Sequence, residues 1–166
     1  VKQLSEERVP VRVLMVCLGN ICRSPTAHAV FQQKIDNAGL SGLIMVDSAG
    51  TGDYHIGHKP DQRSRRAAAR RGYSLNGLLA RQVRPADFTD FDYILAMDEN
   101  NQRDLMTLCP KTMQHKIKLF MEYADNNYLA VPDPYYGPNE GFQLVLQLVE
   151  EAADALLDHI RKTHRV

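Results

Sequence analysis

An excess of charge of either sign is what this sequence lacks: 20 Lys and Arg stand against 20 Asp and Glu, a formal net charge of zero over 166 residues. No bulk attraction therefore draws the chain onto nucleic acid or an anionic membrane, and any anion it binds must be held by a local arrangement. Long hydrophobic runs are missing too. None could span a bilayer, and residues 1–10 are mostly polar, without the apolar stretch of a secretory signal. The expected compartment is the cytosol, with no membrane or nucleic-acid partner. Cysteine is scarce: Cys17, Cys22 and Cys109 are too few, and odd in number, for a disulfide framework. Reduced thiols are expected, which leaves a catalytic cysteine open. No internal repeat or low-complexity tract is visible.

What is present suits one compact domain. A hydrophobic content of 44% gives a chain of this length a real core. The expected division is a loose tail over residues 1–10 and a domain over 11–166. Residues 11–16 (VRVLMV) form a β-branched apolar run with little polar alternation, the pattern of a strand covered on both faces. Ser24-Pro25 then offers an N-cap and a proline at the first helical position, and Ala27, Val30, Phe31 and Ile35 keep helical spacing until Gly39. Further strands are expected over 43–46, 93–97 and 117–120. Residues 47–52 (DSAGTG) read as the connection after strand two. Helices are expected over about 61–71, 99–108 and 140–162, the last with Phe142, Val145, Leu146, Val149, Ala153, Leu156, Leu157 and Ile160 on one face. Strands alternating with helices predict a three-layer α/β fold of flavodoxin-like type with a four-stranded parallel sheet. Ligands of such sheets bind at the carboxyl ends of the strands, so the loops after strands one, two and four should gather Cys17, residues 51–58 and residues 121–138 round one crevice.

The loop after strand one carries the chemistry. Residues 17–24 (CLGNICRS) join a buried strand to a helix N-terminus, where unpaired N–H groups and the helix dipole favour an anion. Gly19 and Asn20 tolerate positive φ, which lets successive amides of Leu18, Gly19, Asn20, Ile21 and Cys22 turn inward as a nest for a tetrahedral oxyanion. Arg23 adds a planar, permanently charged fork for two phosphate oxygens. The same positive field favours the thiolate of Cys17, and Ser24 can donate to that sulfur as well as cap the helix. By itself Cys17 would read as a small buried hydrophobe at a strand end. The Cys, Gly, Asn, Arg, Ser-Pro order at a strand-to-helix junction makes it a candidate nucleophile.

Displacing an oxygen leaving group from phosphorus is easier when an acid protonates it. Asp133, stiffened between Pro132 and Pro134 in the loop after strand four, is the candidate; the plainer reading is a turn residue. Tyr54, Tyr135 and Tyr136 are candidate substrate-binding residues, with Tyr54 and Tyr136 favoured as walls of a slot for an aromatic ring. Leu18 sits at the rim.

These motifs give the chain its resemblance to the low-molecular-weight protein tyrosine phosphatases. It resembles them in CLGNICRS, in Asp133-Pro134-Tyr135-Tyr136, and in the middle segments DSAGTG and AMDENN. The resemblance implies phosphotyrosine hydrolysis through a phosphocysteine, with no metal or other cofactor, and matches Asp133 to the general acid. It also favours a reversible Cys17–Cys22 disulfide that protects the nucleophile. The partner it implies is a phosphotyrosine-containing protein, met by a monomer or weak homodimer. Two departures stand out. Relatives often place a His two positions before Ala-Arg-Gln, where it supports the loop asparagine, but Leu78 stands there. His28 occupies a position where many carry glutamate. Either Ser48 or another group orients Asn20, or the loop is less preorganised.

Rival readings remain. An arsenate reductase would need a further cysteine pair, and only Cys109 is left. A protein-arginine phosphatase tends to carry threonine at the position of Ile21. A phosphotyrosine-binding module would need neither a thiolate nor an acid. Cys17, Cys22, His55 and His58 match no standard zinc spacing, so no metal site is expected. Arg63, Arg65, Arg66, Arg70 and Arg71 read as a solvated helix face, or as a recruiting surface for acidic substrates.

Overall fold

The computed structural model describes residues 9–166, so the expected tail over 1–10 lies almost wholly outside the described residues. Four parallel strands make the sheet: β1 (Val11–Cys17), β2 (Ile44–Gly50), β3 (Tyr93–Ala96) and β4 (Ile117–Leu119), in the order β2-β1-β3-β4. The helices are α1 (Arg23–Asn37), α2 (Gln62–Arg70), α3 (Pro85–Asp90), α4 (Glu99–Leu108) and α5 (Glu140–His164), with short 3-10 turns flanking β4 at Lys111–Lys116 and Phe120–Tyr123.

The uninterrupted apolar run of β1 is explained by its central place. Val13, Met15 and Cys17 face the core shared with Phe31, Phe120, Val149 and Leu156, while Leu14 and Val16 face a second core with Phe88, Ile94 and Leu105. Helices α1 and α5 cover the first face and α3 and α4 the second, giving the three layers that the alternation of strands and helices predicts. On α5, buried Phe142, Val145, Leu146, Val149, Ala153, Leu156 and Ile160 recur at helical spacing. Full burial of one such Leu, Ile, Val or Phe contributes about 1.5–3 kcal/mol.

The structure departs from the sequence expectation at three places. Strand two runs on to Gly50, so Asp47-Ser48-Ala49-Gly50 is strand and not connection. An edge strand tolerates those polar residues because their side chains have partners, Arg81 for Asp47 and His28 for Ser48. Helix α3 was not anticipated, since six residues carry no readable period; it is marked by Pro85 at its start and by the Asp87 carboxylate, which accepts from Arg84 N at 2.8 Å. The residue before α1 is Cys22, with no side-chain capping bond, so Ser24 is not the cap.

Removing a buried side chain from α5 should show how far the sheet depends on it. Leu156→Ala is expected to cost about 2–5 kcal/mol in urea unfolding followed by circular dichroism. The exposed Asp158→Ala should stay within about 0.5 kcal/mol. Similar losses for the two would contradict the packing described here.

Candidate active site

Register places the site. Cys17 pairs with Gly50 at the last rung of β1 and β2, so the loops leaving both strands start side by side. Thr51 N donates to Cys17 O and Gly52 N to Leu18 O, both at 2.9 Å, and Asp61 N donates to Ile21 O at 2.8 Å. The segment after β2 is thereby laced to the loop after β1. From the other side, Val131 N donates to Met97 O at 2.8 Å, which fastens the loop carrying Asp133 to the end of β3.

A cavity of about 490 Å³ opens where these segments meet. Of the candidate residues, Cys17, Leu18, Gly19, Ile21, Cys22, Arg23, Tyr54, Asp133, Tyr135 and Tyr136 line it; Asn20 and Ser24 are buried in its wall. Cys17 Sγ accepts from Asn20 N at 3.3 Å and lies 3.1 Å from Ser24 Oγ. Ser24 Oγ also accepts from Asn20 Nδ2 at 2.8 Å and lies 3.4 Å from Ala49 O, to which it can donate. Of the two residues expected to tolerate positive φ, Asn20 uses it, at 57°. The missing side chain of Gly19 serves another end: a Cβ there would lie 2.9 Å from His55 Cδ2, so the imidazole packs on the loop.

Arg23 is nearly enclosed, with its side chain 3% exposed. Its Nη1 donates to Asp98 Oδ2 at 2.6 Å and to Val131 O at 3.0 Å, and Nη2 lies 3.6 Å from Asp133 Oδ2. Burial alone would lower the Arg23 pKa, but the field of Cys17 and the hydrogen bond and charge of Asp98, with Asp133, raise it above the ordinary arginine value. The cation is thus permanent. The second loop sulfur behaves differently: burial, followed by the negative field of Asp61, pushes the Cys22 thiol up to about 12. All three cysteines are free thiols, and Cys109 sits in the other core, behind the sheet.

Three aromatic candidates border the mouth. Tyr54 and Tyr136 are largely exposed, while Tyr135 is half-buried, edge-on to Tyr136 at 4.8 Å between centroids. Arg63 supports Tyr135, its Nη2 donating to Tyr135 O at 3.0 Å and to Asp61. This arginine of the basic run therefore props the site wall, and Arg71 is paired with Glu150.

Residues the sequence reading passed over include Asp98, which brings in the loop after β3 as well as those after β1, β2 and β4. Its signal was the AMDENN segment, where Asp98 also caps α4 by accepting from Asn101 N. Asn20 is oriented by neither Ser48 nor a histidine: its Oδ1 accepts from the main-chain N of Arg81 at 3.0 Å. Ser48 instead bonds His28 Nδ1 at 3.1 Å. Burial lowers the His28 pKa, with Asp47 opposing and Arg81 reinforcing the shift.

Comparison with known proteins agrees with this geometry. The family model described as low molecular weight phosphotyrosine protein phosphatase matches residues 12–166. The chain is similar to the low molecular weight protein-tyrosine-phosphatase YfkJ of Bacillus subtilis, at 44% identity over 92% of this chain and 97% of that protein. It is 42% identical to the human low molecular weight phosphotyrosine protein phosphatase, again over 92% and 97% of the two chains. Among solved structures, a protein tyrosine phosphatase from Entamoeba histolytica with Hepes in its active site superposes with a TM-score of 0.90 and 39% identity, covering 93% of this chain and 99% of that one.

The loop's seat is open to test. A Cβ at Gly50 would lie 2.7 Å from Leu18 O and 3.1 Å from Gly19 C, main-chain atoms that cannot swing aside. Gly50→Ala should therefore weaken inorganic phosphate binding about tenfold or more, the loss of at least one charge-assisted hydrogen bond. Gly19→Ala meets only the movable His55 ring and should cost much less. Calorimetric titration that finds the two variants equal would contradict this seating.

Proposed function

Because the chain belongs to the low molecular weight phosphotyrosine protein phosphatase family, we propose that it hydrolyses phosphotyrosine in proteins, with Cys17 as nucleophile, Arg23 as the oxyanion clamp and Asp133 as the acid. The observation that carries this reading is the convergence in one cavity of a sulfur held by Asn20 N and Ser24 Oγ, a buried guanidinium and a half-exposed carboxylate.

In the first step the Cys17 thiolate attacks phosphorus; the S–P bond forms as the bond to the tyrosyl oxygen breaks, and Asp133 gives that oxygen its proton. Arg23 and the loop amides take up the charge on the equatorial oxygens. A phosphate oxygen competes for the Arg23 Nη2 that Asp133 approaches at 3.6 Å, which frees the carboxyl to face the leaving group. In the second step water attacks phosphorus and loses a proton to Asp133, the S–P bond breaks, and inorganic phosphate leaves with the thiolate restored. Ser24, donating to the sulfur, stabilises the thiolate in both steps as attacking and as leaving group.

The slot supports the substrate choice. Ile21, Tyr54, Tyr135 and Tyr136 give an apolar lining above the phosphate floor, suited to an aromatic ring. A phosphoserine side chain is too short to reach that floor. Action in the cytosol as a monomer or weak homodimer, away from membranes and nucleic acid, is part of the same reading; the zero formal charge supports the lack of a nucleic-acid partner.

Steady-state hydrolysis of phosphotyrosine, phosphoserine and phosphoarginine peptides tests the assignment. Turnover should be confined to phosphotyrosine, vanish in Cys17→Ser, and fall about 10²–10⁴-fold in Asp133→Asn. Activity surviving in Cys17→Ser would refute the mechanism.

A further inference from the structure

The oxyanion loop depends on a residue that does not line the cavity. Asn20 is buried and holds φ at 57°, a left-handed conformation that asparagine tolerates better than other side-chain-bearing residues. Both ends of its side-chain amide are engaged: Nδ2 donates to Ser24 Oγ at 2.8 Å, and Oδ1 accepts from Arg81 N at 3.0 Å. Because the Ser24 oxygen already accepts from Asn20, its own hydrogen is directed elsewhere, to Cys17 Sγ at 3.1 Å or to Ala49 O at a longer 3.4 Å. A thiolate at Cys17 can only accept, so in that form the hydroxyl hydrogen goes to the nearer sulfur and the donor order runs from the Arg81 main chain through Asn20 and Ser24 to Sγ.

The Arg81 peptide is fixed from both sides. Gly50 N donates to Arg81 O and Val83 N to Gly50 O, both at 2.8 Å, so residues 81–83 lie along the outer edge of β2 as a short extra rung. The side chain then locks that register. Its guanidinium grips Asp47 Oδ2 through Nε at 3.2 Å and Nη2 at 3.1 Å, and Asp87 through Nη1 to Oδ2 at 3.0 Å and Nη2 to Oδ1 at 3.2 Å. Asp47 belongs to β2 and Asp87 to α3, so one cation ties three segments together. The Asp87 carboxylate is 3% exposed and the Asp47 carboxylate 47%, so the Asp87 half is the less screened.

We infer that Arg81 is a positioning residue for the reaction: its two-carboxylate clamp sets the main-chain N–H that orients Asn20, and through Asn20 and Ser24 it directs a hydrogen bond at the Cys17 sulfur. This rests on Cys17 being the reactive thiol of the proposed phosphatase. The clamp acts on the sulfur and the loop, not on the aromatic slot, so its loss should lower kcat and thiolate reactivity more than it raises KM.

The test compares wild type, Arg81→Gln, Asn20→Ala and the double variant by two readouts taken well below each Tm. The readouts are aryl phosphate hydrolysis and the rate of Cys17 alkylation by iodoacetate at mildly acidic pH. Arg81→Gln is expected to lower kcat and the alkylation rate about tenfold, the loss of a hydrogen bond to a charged group. In the Asn20→Ala background the same substitution should change alkylation less than about twofold, because the route to the sulfur is already cut. A lowered Tm with both rates kept would reduce the clamp to a structural role and overturn the inference, as would an effect undiminished without Asn20. Should Arg81→Gln not fold, Asp47→Asn leaves the buried pair in place and should still slow alkylation; an unchanged rate would overturn the inference. A wild type that turns over no phosphate ester, with alkylation still responding to Arg81, would sink the phosphatase reading and leave the clamp standing.

Discussion

A guanidinium enclosed to 3% exposure must be held by anions and carbonyls, and that requirement at Arg23 organises the site. Asp98 arrives from the loop after β3, and the Val131 carbonyl from the long connection after β4. That connection is itself pinned by its bond to Met97 O. Satisfying one buried cation thus draws together segments that are distant in sequence, and the loop from β1 supplies the cation. The two acids near it differ in kind. Asp98 makes a 2.6 Å hydrogen bond and also caps α4, so it is tied to the scaffold; Asp133 stands 3.6 Å away, 42% exposed, on a loop between prolines. The first balances charge, and the second is free to take part in proton transfer.

The same loop has to lie flat on the end of β2, and this sets a steric condition as firm as the electrostatic one. At Gly50 any side chain would meet main-chain atoms of Leu18, Gly19 and Asn20 within 3.2 Å. Gly50 also bonds outward, to the edge segment that carries Arg81. One residue therefore supports the loop on its inner side and registers the Asn20 partner on its outer side, which explains why β2 must extend to Gly50 and not end at residue 46.

How legible all this is depends on whether a feature is local in the chain. The sheet, its parallel sense, the carboxyl-end crevice and the loop from Cys17 to Ser24 follow from apolar runs, helix starts and the motif itself, and the structure has them. Asp133, Tyr135 and Tyr136 reach the crevice because topology sends the loop after β4 to that edge, as it does the loop after β2 with Tyr54. By contrast, Asp98, Arg81 and His55 act through contacts 75, 61 and 36 residues away from their partners in the loop. The AMDENN segment and the expected place of residues 51–58 point Asp98 and His55 toward the crevice, but neither they nor the neighbours of Arg81 reveal which loop atom each one meets. The polar end of β2 was misread for a related reason. Asp47 and Ser48 look like turn residues until Arg81 and His28, their partners from elsewhere, are in place.

Two cysteines five positions apart in one loop show how environment separates chemically identical groups. Cys17 faces the cavity, receives Asn20 N and Ser24 Oγ, and adds its field to that of the Arg23 site. Cys22 lines the same cavity at the start of α1, but burial and the nearby Asp61 push its thiol up to about 12 and keep it protonated at neutral pH. The difference lies not in the residue type or in proximity to Arg23, its immediate neighbour in sequence. It lies in what surrounds each sulfur: Asn20 N and Ser24 Oγ at Cys17, the Asp61 carboxylate at Cys22.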